Sequence, residues 1–371
     1  MTNGLLPSGL HDRLPHEAAR LDAMQRAAMD AIAAQGYLRV QPPLAEFEDE
    51  LAGRLKGAGR TDLFRIIDPV SARTLALRPD ITAQVSRIAT TRMGHASRPL
   101  RLAYAGQVLK LKGTMLRPER ELTQIGAEII GSDSVAAAVE IVSVGVAALH
   151  AAGIRDISLD LTMPDLVDML SAGPLPLAPD KVDDVRVALD AKDAGRLAAL
   201  GAEDYLPLIA AAGPFPEALA AFKSIKGCAA LGERLAAIEA IAVEVGDAAR
   251  ITLDPTERHG FEYQSWIGFS LFGAGVSGEI GRGGSYTIIH PDGREEAAIG
   301  FSLYIDPLTG ALAAQDESRR LFLPLGTTPQ HAANLRAQGW VTVAALNAAD
   351  DARALGCTYR LGADGPIALA R

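Results

Sequence analysis

One apolar segment of the chain, residues 122–130, carries polar side chains at alternating positions. Successive side chains of a β-strand point to opposite faces, so Gln124, Gly126 and Glu128 share one face if the segment is a strand. Glycine weakens a strand interior, and Gly126 between two polar residues therefore indicates room for something to lie over it. The alternative is a solvent-facing strand in which this glycine has no role.

A second segment, residues 74–82, repeats the design, with Thr74, Arg78, Asp80 and Thr82 on one parity and apolar residues on the other. If both strands faced one pocket, the pocket would offer Asp80, Thr82, Gln124 and Glu128. That set suits a zwitterionic ligand with a basic end. One carboxylate would meet its ammonium group, and the other would meet a cationic or N–H-bearing side chain. The alternative is a half-exposed strand with Arg78 and Asp80 as a surface pair.

Composition and charge narrow the classes of protein. A chain of 371 residues is long enough for two or three domains, and its formal charge of -9 argues against a nucleic-acid partner, since phosphate contacts need cations. A local excess of Lys and Arg between residues 85 and 130 could still meet phosphates, tRNA or an acidic protein, or could be a solvated face. Residues 273–284 are Gly-rich but lack the Gly-Lys-Ser/Thr ending of a phosphate-binding loop.

No cofactor or metal site is expected. The seven histidines show no metal-ligand spacing, and Cys228 and Cys357 are too few for a disulfide framework or a thiolate site. No secretory signal and no apolar run of membrane-spanning length are visible, so we expect a cytoplasmic protein without a membrane partner.

The spacing of strand and helix signals predicts an α+β fold, a mostly antiparallel sheet flanked by helices. We expect a core made of residues 1–163 and 251–310, interrupted by an Ala-rich helical insertion subdomain over residues 164–250. Residues 316–371 predict a small C-terminal α/β domain, with strands at 320–325, 341–346 and 358–361 and helices at 329–339 and 350–356.

Several segments together resemble histidyl-tRNA synthetases, which are class II aminoacyl-tRNA synthetases. Residues 36–46 resemble motif 1 and residues 106–131 motif 2. The remaining matches are Arg78-Pro79-Asp80-Ile81-Thr82 with Leu-Arg-Pro-Glu-x-Thr, His259-Gly260-Phe261-Glu262-Tyr263 with the histidine-binding Arg-Gly-Leu-Asp-Tyr-Tyr, and Gly283-Gly284-Ser285-Tyr286 and Ala298-Ile299-Gly300-Phe301 with the motif 3 region. The resemblance runs in order over about residues 5–306 and implies a class II synthetase-like core.

The departures from the synthetase pattern concern activation of the amino acid. Lys110 stands where the family has the arginine that holds the ATP α-phosphate, and Tyr304 lies in the segment where a second ATP-clamping arginine is expected. A lysine does not reproduce the fork geometry of a guanidinium. The arginine of the histidine-binding segment is His259 here, unless Arg258 takes its place, and the second tyrosine of that segment is Gln264.

This combination resembles the synthetase-like regulatory subunits of ATP phosphoribosyltransferase, which are non-catalytic and act in the first step of L-histidine biosynthesis. The resemblance implies a homodimer through motif 1, assembled into a hetero-octamer with the short-form catalytic subunit, and L-histidine as the feedback effector. It assigns the effector to six positions: Asp80, Thr82 and Gln124 at the ammonium, Glu128 at the imidazole with Tyr263 beside it, and His259 in place of the family arginine.

Two other functions remain as alternatives. A catalytically active, histidyl-tRNA synthetase-like aminoacyl ligase would form an adenylate, which the missing arginines oppose. A free-standing amino-acid-binding or RNA-binding accessory protein would have no effect on ATP phosphoribosyltransferase, and the net negative charge opposes its RNA-binding form.

Overall fold

The sheet that the sequence predicts is built from strands on both sides of the helical insertion. The computed structural model describes residues 5–51, 55, 63–113, 118–258, 260, 263–310 and 319–369, with the backbone alone for Ala229 and Ala230. The chain divides into two units, residues 1–312 and 313–371. The strands of the first unit are β1 (Leu38–Arg39), β2 (Ala45–Phe47), β3 (Phe64–Ile67), β4 (Thr74–Leu77), β5 (Leu100–Leu109), β6 (Glu121–Ile130), β7 (Ile157–Thr162), β8 (Gly213–Pro214), β9 (Arg250–Leu253), β10 (Gln264–Gly273), β11 (Gly281–Ile289) and β12 (Glu295–Tyr304).

Nine of these strands form one sheet in the order β1-β5-β6-β12-β11-β10-β7-β9-β8, and β2-β4-β3 form a small separate sheet. The large sheet is antiparallel from β5 to β7, with parallel pairs at β1/β5 and β7/β9. The predicted α+β architecture is therefore confirmed. The last four residues of the Gly-rich segment, 281–284, belong to β11.

The helices of the first unit surround this sheet and follow the predicted pattern. They are α1 (Pro15–Ala33), α2 (Glu48–Leu51), α3 (Thr82–Thr91), α4 (Val135–Ala151), α5 (Leu166–Ser171), α6 (Val182–Asp190), α7 (Ala194–Ala199), α8 (Leu206–Ile209), α9 (Phe215–Ser224) and α10 (Gly232–Val245). Ser134 caps α4 by accepting the backbone N–H of Ala137. Helices α5 to α10 come from residues 164–250, and their apolar side chains join the same buried cluster as α1 and α4. The division of this unit into a core and an insertion subdomain stays a prediction.

The two faces of the sheet have different chemistry because side chains alternate along each strand. On β6, Ile125, Ala127 and Ile129 join the large cluster with α1 and α4. The opposite face of the sheet packs on α3 through a smaller apolar cluster that includes Ile81, Val85 and Tyr104. Gln124 and Glu128 of β6 lie on that second face, so they are enclosed between the sheet and α3.

The alternation over residues 74–82 spans two elements, in agreement with the strand at 73–77 and the helix at 81–91 that the sequence predicts. β4 ends at Leu77, and Asp80 and Thr82 lie at the start of α3. Pro79 has no N–H to continue a ladder. The Asp80 carboxylate then accepts the N–H of Thr82 at 2.7 Å, which satisfies a donor at the beginning of the helix.

Arg78 joins three segments of the first unit and is not the surface residue that the alternative reading gave. Its side chain is 6% exposed, and it donates to the carbonyl of Gln107 at 2.7 Å and to that of Pro42 at 3.0 Å. A Cβ on Gly106 would lie 2.3 Å from Nη2 of Arg78, so the glycine leaves room for the guanidinium. The contact ties the segment before β2 to β5 and to the start of α3.

The second unit is a small α/β fold, described here by itself. Its strands β13 (Arg320–Leu323), β14 (Val341–Ala344), β15 (Tyr359–Gly362) and β16 (Gly365–Ala368) lie in the order β14-β13-β15-β16, with one helix, α11 (Pro329–Ala337). The helix predicted over residues 350–356 is wrong, because this segment forms turns in which the Asp351 carboxylate accepts the N–H groups of Arg353 and Ala354. Strand β16 was not expected from the sequence.

The role of Arg78 gives a stability prediction. We expect Arg78→Lys to lower the free energy of unfolding of the first unit by about 2 kcal/mol, because an ammonium cannot reach both carbonyls. Urea unfolding followed by Trp266 fluorescence in a Trp340→Phe background reports on this unit alone. The exposed Arg92→Lys is the matched control and is expected to change little; equal effects of the two substitutions would contradict the assignment.

Candidate functional site

A cavity opens on the second face of the sheet, between the start of α3 and strands β6, β12, β11 and the beginning of β10. Its free space, including the open mouth, is about 350 Å³. Four of the six residues assigned from the sequence line it, namely Asp80, Thr82, Glu128 and Tyr263. His259 lies outside the described residues.

Glu128 is the most enclosed charge-bearing group of the cavity, with 1% of its surface exposed. Its Oε1 accepts the hydroxyl of Tyr104 at 3.1 Å, and its Oε2 accepts the hydroxyl of Tyr286 at 2.8 Å. Burial raises the pKa of the Glu128 carboxyl to about 8, and the two tyrosine hydroxyls oppose that rise. Glu128 is therefore a buried proton-binding group held in one orientation, and the solvent-facing alternative for β6 is wrong.

Two glycines leave the space that this arrangement needs. Gly300 pairs with Glu128 across β12 and β6, and a Cβ at Gly300 would lie 1.5 Å from Oε2 of Glu128. A Cβ at Gly126 would lie 2.3 Å from the hydroxyl oxygen of Tyr104. The room expected over Gly126 is thus filled by a side chain of the same chain, which binds Glu128.

Asp80 is oriented by groups beneath the cavity. Its Oδ2 accepts Nε2 of Gln124 at 2.7 Å, and the same Nε2 donates to Oγ of Ser302 at 2.7 Å. Oε1 of Gln124 accepts the N–H of Ile81 at 2.9 Å. The Gln124 amide is completely buried and bonded on both sides, so its observed role is to orient Asp80; its direct contact with a ligand stays a prediction.

Arg282, which the sequence reasoning did not single out, also lines the cavity. Its Nε and Nη2 donate to the two carboxylate oxygens of Glu279, both at 2.7 Å, and Glu279 also accepts the hydroxyl of Ser270 at 2.9 Å. A two-point pairing of this kind fixes the plane of the guanidinium. Among the described lining residues, Arg282 carries the positive charge, opposite the carboxyl groups of Asp80 and Glu128.

The structure does not bring Arg258 into the cavity. The backbone N–H of Arg258 donates to Oδ1 of Asp190 at the end of α6, at 2.7 Å, and the residue is not part of the described lining. The replacement of the family arginine by Arg258, which the sequence left open, is therefore not favoured.

Lys110, at one position where the synthetase resemblance implies an ATP-binding arginine, packs against Tyr304, which lies in the segment where the second is expected. The ammonium of Lys110 is 4.6 Å from the ring centroid of Tyr304, a cation–π contact. Tyr304 also lines the cavity. One side of the site is thus occupied by a packed lysine–tyrosine pair.

Sequence reasoning missed Tyr104, Tyr286, Ser302 and Arg282. Tyr104 and Ser302 lie directly across from Gly126 in the register of β5, β6 and β12, so a strand alignment could have found them. Tyr286 belonged to a segment already quoted for its resemblance, but its hydroxyl was not matched to Glu128.

Within the described parts of the chain, no cluster of three or more His, Cys, Asp or Glu could hold a metal ion, and no helix is long and apolar enough to cross a membrane.

Comparison with known proteins gives the fold class first. A family model described as "Histidyl-tRNA synthetase" matches residues 9–308. The crystal structure of histidyl-tRNA synthetase from Nostoc sp. PCC 7120 aligns with a TM-score of 0.79 and 15% identity, covering 98% of this chain and 93% of that one. A Bacillus halodurans structure titled ATP phosphoribosyltransferase regulatory subunit/histidyl-tRNA synthetase aligns with a TM-score of 0.78 and 22% identity over 96% of each chain. The molecule therefore has the class II aminoacyl-tRNA synthetase-like fold.

Sequence relatives give the family within that class. A protein of Paramagnetospirillum magneticum named ATP phosphoribosyltransferase regulatory subunit is 42% identical, with 98% of this chain and 97% of that protein covered. A protein of the same name from Rhodospirillum centenum is 41% identical, with 98% and 95% covered. The chain belongs to the family of ATP phosphoribosyltransferase regulatory subunits.

The raised pKa of Glu128 predicts a pH dependence of stability. The folded state holds this proton up to about pH 8 while the unfolded chain releases it near the ordinary value, so ionisation of Glu128 opposes folding as pH rises. Glu128→Gln removes this component. We expect the stability of the variant relative to the parent to increase by roughly 4 kcal/mol between pH 5 and pH 9.

Urea unfolding of the ligand-free parent and variant at a series of pH values measures this difference. Glu203→Gln, at an exposed position, is the control. A parent-to-variant difference that stays constant over this range would show that Glu128 is not a buried proton-binding group.

Proposed function

We propose that this chain is a non-catalytic regulatory subunit that binds L-histidine in the cavity and transmits its presence to a short-form ATP phosphoribosyltransferase catalytic subunit. The observation that carries the proposal is the buried Glu128 carboxyl, held by two tyrosine hydroxyls in a cavity where Tyr304 packs against Lys110, which replaces a family arginine.

Histidine fits the charges of the cavity. Its imidazole has a pKa near 6.5 and carries N–H donors, so it can give a proton-sharing contact to Glu128. Its ammonium has three donors that suit Asp80, whose carboxylate is fixed by Gln124 and by the N–H of Thr82. Tyr263, whose ring packs edge-on against Tyr286 at a centroid distance of 6.1 Å, forms an apolar wall beside Glu128.

The absence of adenylate formation follows from the electrostatics of the same site. Activation of an amino acid by ATP develops negative charge at the α-phosphate, which needs preorganised cations. Here Lys110 packs against Tyr304, and the cation among the described lining residues, Arg282, is already paired with Glu279. This arrangement favours the regulatory role over the active aminoacyl ligase.

For assembly, we propose a homodimer through motif 1, placed with the catalytic subunit in a hetero-octamer in the cytoplasm. Two exposed leucines support the dimer: Leu44, just before β2, is 51% exposed, and Leu38 is 63% exposed in β1, which ends the large sheet. Such an edge strand with exposed apolar residues is a ready template for pairing. Feedback then requires that histidine bind the active and inhibited forms of the complex with different affinity.

The non-catalytic role is tested with ATP–pyrophosphate exchange. We expect the purified chain to bind histidine in a calorimeter and to give no histidine-dependent exchange above background, because the guanidinium clamps are missing. A histidyl-tRNA synthetase assayed in parallel is the positive control. Histidine-dependent exchange by the purified chain would overturn the regulatory assignment in favour of the ligase.

The site is tested in the reconstituted complex with the catalytic subunit. We expect Glu128→Ala to raise the histidine concentration for half-inhibition at least tenfold, since a charge-assisted contact to the imidazole is lost. Each complex is measured against its own uninhibited rate, its assembly is checked by gel filtration, and Glu203→Ala is the control. If the Glu128→Ala complex were half-inhibited at the same histidine concentration as the parent complex, histidine would have to bind at another site.

A further inference from the structure

The carboxylate of a bound amino acid needs a partner, and the cavity offers one that neither the sequence motifs nor the family resemblance supplied. We propose that Arg282 on β11 binds the ligand carboxylate and is the residue that makes the site specific for an amino acid over analogues that lack the carboxylate. This inference rests on the proposed function, since it assigns a further contact in the same cavity.

The position of the guanidinium supports this role. Arg282 lines the cavity together with Asp80 and Glu128, and a Cβ on Gly260 would lie 1.5 Å from its Nη1. Nη1 therefore lies against Gly260, which belongs to the segment that the synthetase resemblance assigns to histidine binding. In that resemblance the cation comes from residue 259 of this segment; here a cation reaches Gly260 from β11.

The pairing with Glu279 prepares Arg282 for such a contact. The two hydrogen bonds, from Nε to Oε1 and from Nη2 to Oε2, hold the guanidinium plane, and Ser270 in turn holds the Glu279 carboxylate. Arg282 pairs across the sheet with Ser302 of β12 and with Ser270 of β10, so it extends from the middle of three strands. A cation fixed in this way loses little conformational freedom when it binds a ligand.

The charges of the cavity then match those of histidine one by one. Glu128 faces the basic ring, Asp80 faces the ammonium, and Arg282 faces the carboxylate. A ligand without the carboxylate, such as the amino alcohol histidinol, would keep the first two contacts and lose the third. A site built for a charged group discriminates strongly against an analogue that lacks it.

The experiment measures the affinity of the full-length chain for L-histidine and for histidinol by calorimetry. Glu279→Gln serves as the background, so that removing Arg282 leaves no unpaired carboxylate. In this background we expect Arg282→Gln to weaken histidine binding about 10- to 100-fold and to change histidinol binding less than threefold. Arg282→Lys, which keeps the charge without the fork, is expected to recover part of the histidine affinity. The exposed Arg92→Gln is the control for loss of a positive charge.

The outcomes distinguish failure of the proposed histidine site from failure of the Arg282 assignment. If the parent binds neither ligand, the proposed function fails and this inference fails with it. If the parent binds histidine but Arg282→Gln weakens both ligands equally, or neither, the histidine site stands and the assignment of Arg282 is overturned. Should Arg282→Gln not fold, Arg282→Lys gives the same comparison, because it is expected to lower the affinity for histidine and to leave the affinity for histidinol unchanged.

Discussion

The burial of one carboxyl group, that of Glu128, is the constraint on which the rest of the site depends. Removing a carboxylate from water is costly, and here the hydroxyls of Tyr104 and Tyr286 offset only part of the cost, so the group retains its proton to about pH 8. A basic ring can accept that proton or share it. The cavity therefore holds a group whose charge would be stabilised by the ligand that the site is proposed to bind.

Keeping Glu128 buried and bonded imposes conditions on neighbouring strands. Gly300 must lack a side chain so that the Glu128 carboxyl can lie across β12. Gly126 must also lack one, so that Tyr104 can reach the Glu128 carboxyl from β5. The apolar face of the same strands packs on α1 and α4, and this packing fixes the register that places these residues opposite one another. The register of these strands therefore determines which side chains meet around Glu128.

Much of this was readable from alternation along β6, because Gln124, Gly126 and Glu128 had to share a face. The alternation over residues 74–82 does not mark one strand, since β4 ends at Leu77 and α3 begins at Thr82. Arg282 could not be found in this way, because its place in the cavity depends on the side-by-side placement of β10, β11 and β12 and on the approach of Gly260, which are separated in sequence. Local patterns predict which face a residue occupies, whereas contacts across strands require the register.

The state of the Glu128 carboxyl can be followed directly by infrared difference spectroscopy of the purified chain, labelled with ¹³C-glutamate, on addition of histidine at neutral pH. The C=O stretch of a protonated carboxyl is expected to disappear and a carboxylate band to appear, and Glu128→Gln is expected to show neither change. A protonated-carboxyl band that persists in the presence of bound histidine, or the same change in Glu128→Gln, would contradict the account.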